Sequence, residues 1–260
     1  MQIGRLFTGT LVALSAGLVL GCGGGGGDSS SKTDPCSTLK IAGGSQCSPA
    51  PAAVALVATD LGYCSGVFIT PRHVLTGAHC FPRQGIRVVV VAKNYRADAT
   101  KVTIHPQYNA AVVSDKFDIA VVTLPTAAAV APVPLLLSKD IEKGDSVVVY
   151  GYGLDEDDRS VVERVNDGEA GLKATTLDVS GVSDFSVDSI SDGTGDTCSG
   201  DSGGALLATS SSGQIGIVAV VRAGPAQCEK DLGLPSDNTN VQVQSIADFI
   251  LGVAKGAPVV

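Results

Sequence analysis

All three histidines of the chain, His73, His79 and His105, precede the glycine-flanked serine of Gly200-Asp201-Ser202-Gly203-Gly204. That order removes a large class of folds. The segment satisfies the G-x-S-x-G pattern with which α/β-hydrolases hold a nucleophile on a strand-to-helix turn, but that fold places its histidine after the serine. A chain order of histidine, aspartate, serine survives. Glycines on both sides of Ser202 permit tight turning and close backbone approach to a ligand, and amides there can converge on one point. Asp, Ser and Gly are also ordinary turn residues, so the segment gains meaning only from partners elsewhere.

The 260 residues are 44% apolar and 17% charged, which suits a sizeable core in one large domain or two lobes. Tryptophan is absent, and valine-rich segments broken by glycine and proline favour an all-β fold. Apolar runs at 53–57, 67–70, 86–92, 119–124, 146–150 and 215–221 read as strands. One helix is expected at the C-terminus, where Ile246, Phe249, Ile250 and Val253 recur at three- and four-residue spacing with Ser245 as a cap. The net charge of −8 argues against a nucleic-acid partner, because binding phosphate backbones calls for basic surface. The acidic run Asp155-Glu156-Asp157-Asp158 lacks the glycine-spaced ligand pattern of a calcium loop and reads as solvated surface.

The first 21 residues read as a targeting signal: Arg5, then an uncharged apolar run over 6–20, shorter than the roughly 20 residues of a membrane span. The run ends in Val19-Leu20-Gly21-Cys22, which resembles the lipobox of bacterial lipoproteins. The resemblance implies an exported protein anchored to a membrane through lipidated Cys22, in the periplasm or at the cell surface, and otherwise secreted. Residues 22–40 then form a Gly/Ser tether and a short pro-segment. Seven cysteines are present; with Cys22 given to the lipid, Cys36, Cys47, Cys64, Cys80, Cys198 and Cys228 remain as an even set, suited to disulfides outside the cytosol. No C-x-x-C pair occurs, which argues against structural zinc.

Of the histidines, His79 ends the apolar stretch Val74-Leu75-Thr76-Gly77-Ala78-His79-Cys80, beside a cysteine whose bridging would fix the backbone of a base. His73 and His105, next to Arg72 and Pro106, read as structural or surface groups. Residues 75–80 are similar to the LTAAHC segment of trypsin-like serine proteases. Asp118-Ile119-Ala120-Val121-Val122-Thr123-Leu124 looks like their DIALL-L segment, and Gly200 to Gly204 matches their nucleophile motif unchanged. Ile41-Ala42-Gly43-Gly44 resembles their activation sequence and Gly151-Tyr152-Gly153 their GWG. These motifs occur in family order from residue 41 to the terminal helix.

The resemblance implies two six-stranded antiparallel β-barrels with a C-terminal helix, over 41–260, the barrels at roughly 41–140 and 141–245 with the site between them. It implies a monomeric endopeptidase acting on proteins or peptides by acyl transfer, with no cofactor or metal. Ser202 would be the nucleophile, His79 its base and Asp118 the group orienting His79, with Asp115 the local competitor. The amides of Gly200 and Ser202 would form the oxyanion hole. Where the family usually has a serine bonded to the aspartate, this chain has Ala219. Asp196, six residues before Ser202, stands where trypsin-like enzymes carry the pocket carboxylate, which implies cleavage after Arg or Lys; Val221 and Ser236 replace glycines and narrow the pocket. Family positions imply Cys64–Cys80 and Cys198–Cys228, and elimination then pairs Cys36 with Cys47. Cleavage after Lys40, by another protease or by the enzyme itself, would free the Ile41 amine to pair with Asp201. A protease homologue that only binds is the rival reading, and such proteins commonly lack the serine or histidine kept here. A serine esterase is disfavoured by the chain order.

Overall fold

The computed structural model describes residues 53–92, 94–112, 114–153, 172–191, 195–225 and 233–260. The targeting signal, Cys22, the tether, Cys36, Lys40, Ile41, Cys47, the acidic run 155–158 and Cys228 lie outside the described residues.

Strands β1 (Val54–Thr59), β2 (Gly62–Thr70), β3 (His73–Thr76), β4 (Val88–Ala92), β5 (Tyr95–Asp98), β6 (Lys101–Ile104) and β7 (Ala120–Thr123) form one antiparallel sheet, in the order β5-β4-β1-β2-β3-β7-β6. Successive strand residues point to opposite faces, and here both faces are covered. Ala55, Val57, Phe68, Val74, Val90, Ala120 and Val122 fill the interior of this sheet. The alternate positions Val67, Ile69, Leu75 and Val121 pack outward against Ala205, Ile217 and Val220 of the second half and against Ile246 and Ile250. This double burial is why the strand sequences read as continuous apolar runs.

Seven strands stand where six were expected, and the cause is local. Only Ala99 and Thr100 separate β5 from β6, and their amides donate to Val88 O on β4 (2.8 Å) and Thr123 O on β7 (2.9 Å). The two edges of the sheet are thus the halves of one bent strand, which joins β4 to β7 and rolls the sheet up.

The second sheet is a closed barrel of six strands: β8 (Ser146–Gly151), β9 (Lys173–Val182), β10 (Ser186–Ser191), β11 (Ala205–Thr209), β12 (Ile215–Ala223) and β13 (Ser236–Asn240), ordered β10-β13-β12-β11-β8-β9. Val147, Val149, Leu177, Val187, Leu206 and Val218 make its apolar core. Strand β13 is polar throughout, yet Ser236, Asn238, Thr239 and Asn240 are all buried. Asn238 makes this tolerable by donating to Val187 O (2.7 Å) and Ser189 Oγ (3.0 Å) on β10.

Helix α1 (Gln244–Val253) buries Ile246, Ala247 and Ile250. Its N-cap is Val243, not Ser245, and no side chain caps it. The extended Val243 instead turns its carbonyl to the amides of Ile246 and Ala247, both at 2.9 Å. Beyond the helix, residues 258–260 pair with the segment joining the two barrels: Leu135 donates to Pro258 O (2.9 Å), Val260 to Leu135 O (2.9 Å) and Leu137 to Val260 O (2.8 Å).

Candidate active site

Strand β3 delivers the chain to Gly77 and then to a short 3-10 turn, Ala78–Cys80, which carries His79. Cys80 is bridged to Cys64 on β2, 16 residues away in sequence, a loop closure worth about 3 kcal/mol in the chain-entropy model. Asp118 approaches from the turn before β7. The Asp115 carboxylate accepts the Phe117 amide (2.8 Å) and the Asp115 carbonyl accepts the Asp118 amide (3.1 Å), so Asp115 builds the turn while Asp118 reaches outward.

Both oxygens of Asp118 are used on His79. Oδ1 accepts the His79 backbone amide at 2.8 Å and Oδ2 meets Nδ1 at 2.6 Å. Asp118 is 3% exposed and the His79 side chain 31%. A carboxylate only accepts, so Nδ1 carries a hydrogen, and in the neutral imidazole Nε2 is then the acceptor. The second barrel holds the Asp118 turn from behind. Thr239 Oγ1 donates to Asp118 O (3.1 Å), and Arg222, ion-paired with Asp237, donates through Nη1 to Asp115 O (3.0 Å).

Ser202 lines the same cleft as His79, together with Thr59, Leu61, Tyr63, Ser199 and Gly200. No hydrogen bond joins the Ser202 and His79 side chains among the described residues, a bond that commonly tightens only with substrate in place. The loop around Ser202 is otherwise tied group by group. Asp201 N–H donates to Cys198 O (2.9 Å), Gly203 N–H to Val221 O (2.8 Å) and Gly204 N–H to Asp201 O (2.8 Å). Among the described residues, the amides of Gly200 and Ser202 have no acceptor. Gly200 holds φ +97°, a left-handed conformation that favours glycine, and a Cβ there would overlap the Tyr63 ring.

Asp201 is fully buried. Its oxygens accept the Gly153 amide (2.7 Å) and the Cys198 amide (2.8 Å), and burial pushes its carboxyl up to about 7 despite these bonds and the charge of Lys173. A Cβ at Gly151 or Gly153 would collide with this carboxylate, which explains the glycines of the Gly-Tyr-Gly segment.

Asp196 is likewise buried, with its carboxyl raised chiefly by desolvation. Ser236 Oγ donates to it (3.3 Å) and shares a 2.6 Å hydrogen bond with Thr197 Oγ1, so Asp196 and Ser236 do come together. Val221 does not join them. Its backbone pairs with Gly203 and Gly204 and its side chain packs in the second barrel's core, because the register of β12 sets the pocket segment further along the chain. Gly224 is the residue whose Cβ would press on Thr197, 2.6 Å from Oγ1. For the same reason Ala219 lies in that core, paired with Leu206 and Asn240, and the residue bonded to the Asp118 backbone is Thr239. Cys198 is disulfide-bonded, and Cys228, its expected partner, lies outside the described residues. His105 is stacked on Phe117 at 4.6 Å and His73 bonds Thr70 Oγ1 at 2.7 Å, both structural placements. Cys64, His79 and Cys80 cluster closely enough to suggest a metal, but both sulfurs are consumed by their disulfide.

No sequence motif marks Ser65. It is fully buried on β2, and its backbone and hydroxyl contact three segments of the site. A polar residue at the head of an apolar strand was the available signal.

An aspartate-held histidine and a glycine-flanked serine, meeting in one cleft beside two unbonded amides on a two-barrel scaffold, define a serine endopeptidase. The family model described as Trypsin matches residues 41–250, and the chain belongs to that family. Brachyurin from Leptuca pugilator is 39% identical over 173 residues, which cover 60% of this chain and 75% of brachyurin. A venom serine protease of Polistes dominula is 40% identical over 76 residues, 23% of this chain and 26% of that protein. The solved structure of neuropsin, a serine protease expressed in the limbic system of mouse brain, matches with a TM-score of 0.62 at 19% identity, over 79% of this chain and 96% of neuropsin, a likeness of fold.

Proposed function

We propose that this endopeptidase cuts after Arg or Lys through an acyl-enzyme on Ser202. His79 Nε2 takes the Ser202 hydroxyl proton as Oγ attacks the peptide carbonyl, then returns it to the leaving amine. Asp118 fixes the imidazole and stabilises its charged form, and the Gly200 and Ser202 amides receive the oxyanion, each worth about 3 kcal/mol. The two-point grip of Asp118 on His79 carries this reading. Buried Asp196 supports the preference for basic residues, since a guanidinium or ammonium beside it would relieve the desolvation that raises its pKa. Ser236 and Thr197 crowd that carboxylate and should slow cleavage relative to an unobstructed pocket.

The chain is made as a zymogen in this reading. With Ile41 in peptide linkage, Asp201 is a buried carboxyl without an ion pair among the described residues. An amine freed by cleavage after Lys40 would supply the missing charge and order the adjoining amides. The protease domain would start at residue 41 as two barrels up to about 245, and Cys36–Cys47 would keep the tether and lipidated Cys22 attached after cleavage. Fluorophosphonate labelling tests the nucleophile: Ser202→Ala must abolish both labelling and hydrolysis. A peptide-library profile of the Ile41-started enzyme tests specificity, and a preference for small apolar residues over Arg would overturn it. Lys40→Gln should yield an inert zymogen.

A further inference from the structure

Ser65 is the only described residue of the first barrel that hydrogen-bonds the backbone of 198–204. Its amide donates to Ser202 O at 2.8 Å, and its hydroxyl donates to Gly200 O at 2.8 Å. The same oxygen accepts the Tyr152 amide at 2.8 Å, which leaves the hydroxyl's one proton directed to Gly200. Its carbonyl accepts Thr76 Oγ1 at 2.7 Å, three residues before His79. The residue is fully buried, so water does not compete for these bonds.

The bond to Gly200 matters because of what it leaves free. The Gly200–Asp201 peptide is held at both ends, its carbonyl by Ser65 and its N–H by Cys198 O. The Gly200 amide adjoins that fixed plane across a Cα held at φ +97°. Every bond Ser65 makes here falls on a carbonyl, and the amides of Gly200 and Ser202 are left unbonded among the described residues. We propose that Ser65 is a positioning residue whose hydroxyl aims the oxyanion-hole amides and locks them to β3, the strand that leads into the His79 turn. The proposal rests on the oxyanion-hole reading above and adds to it a residue that touches no substrate.

Such a residue acts on the transition state through donor placement, so its removal should lower kcat and leave ground-state binding alone. The test uses full-length enzyme in its active form, with sites counted by fluorophosphonate titration. Per active site, Ser65→Ala should lose about 10- to 100-fold in kcat at near-constant KM. Affinity for a peptide aldehyde, whose adduct presents an oxyanion, should fall by the same factor, while the corresponding peptide acid should bind as before. Ser65→Gly keeps the amide bond to Ser202 O, adds no bulk and should show the same split, which covers the case where the alanine variant does not fold. Unchanged kcat and aldehyde affinity per site would overturn the proposal, even with a lowered melting temperature. So would equal losses of aldehyde and acid binding. Hydrolysis surviving in Ser202→Ala would instead defeat the functional reading on which it rests.

Discussion

The two barrels solve one closure problem with different chemistry. The first is sealed by aliphatic and aromatic side chains on both faces of its strands, and it holds His79 through the Cys64–Cys80 disulfide and the Asp118 carboxylate. The second closes through β13, whose buried Ser236, Asn238, Thr239 and Asn240 are held by hydrogen bonds. Apolar packing is non-directional and tolerant, whereas a buried polar network fixes positions and is costly if any member is lost. His79 thus rests on a firm aliphatic support, while Asp196, Ser236 and Ser202 sit on the half whose geometry is set by directional bonds.

The largest effect that would sharpen this contrast is catalytic. Asp118→Asn should lower kcat by about 10⁴-fold, a size established for this family's triad, by favouring the wrong imidazole tautomer. Thermal unfolding should move little by comparison; a loss of fold instead would mean that Asp118 braces the barrels. In the first barrel, Phe68→Ala should cost about 3–5 kcal/mol in denaturant unfolding, the usual range for a buried phenylalanine. In the second, Asn238→Ala should cost less in stability, about 1–3 kcal/mol for stranded partners, yet disturb Ser236 beside Asp196 and change the cleavage profile. If Phe68→Ala alters specificity and Asn238→Ala does not, the division of labour is wrong.

The next effect depends on pH. Asp201 has a folded-state pKa near 7, above the ordinary carboxyl value, so the folded uncut chain holds a proton that the unfolded chain releases. Its contribution to stability is therefore complete below about pH 4 and is lost as pH rises through about 7, at up to about 1.4 kcal/mol per pH unit. Measured in the Ser202→Ala background, unfolding free energies between pH 4 and 7 should show that component, and Asp201→Asn should remove it. Cleavage after Lys40 should remove it as well, since a paired amine favours the charged form. The smallest effect lies on the surface. Arg83 pairs with Asp60 at half-exposed positions, and Arg83→Ala should shift stability by less than about 1 kcal/mol.

The same contrast explains what the sequence disclosed. Runs such as 67–70 and 119–124 announced the first barrel because burial on both faces demands unbroken apolar residues. Ser236-Asp237-Asn238-Thr239-Asn240 carries no such signal, being buried only through partners on β10 and the Asp118 turn that sequence cannot display. His79, Asp118 and Ser202 stood out through local motifs. The register of β12 did not, and it carries the side chains of Val221 and Ala219 into the second barrel's core. Ser65 carries no local signal because its contacts exist only where β2, the Gly200 loop and Tyr152 converge.

The pairing of residues 258–260 with Leu135 and Leu137 has a consequence in time. A ribosome releases the chain from its N-terminus, so the connector between the barrels emerges long before the partners that clasp it. Contacts so distant in sequence are also slow to form once both ends are free. The first barrel can gather while synthesis continues, but the clasp that secures its connector to the second cannot shut until residues 258–260 have emerged. Until then the connector between the barrels lacks the hydrogen bonds through which these residues fix it to the rest of the fold.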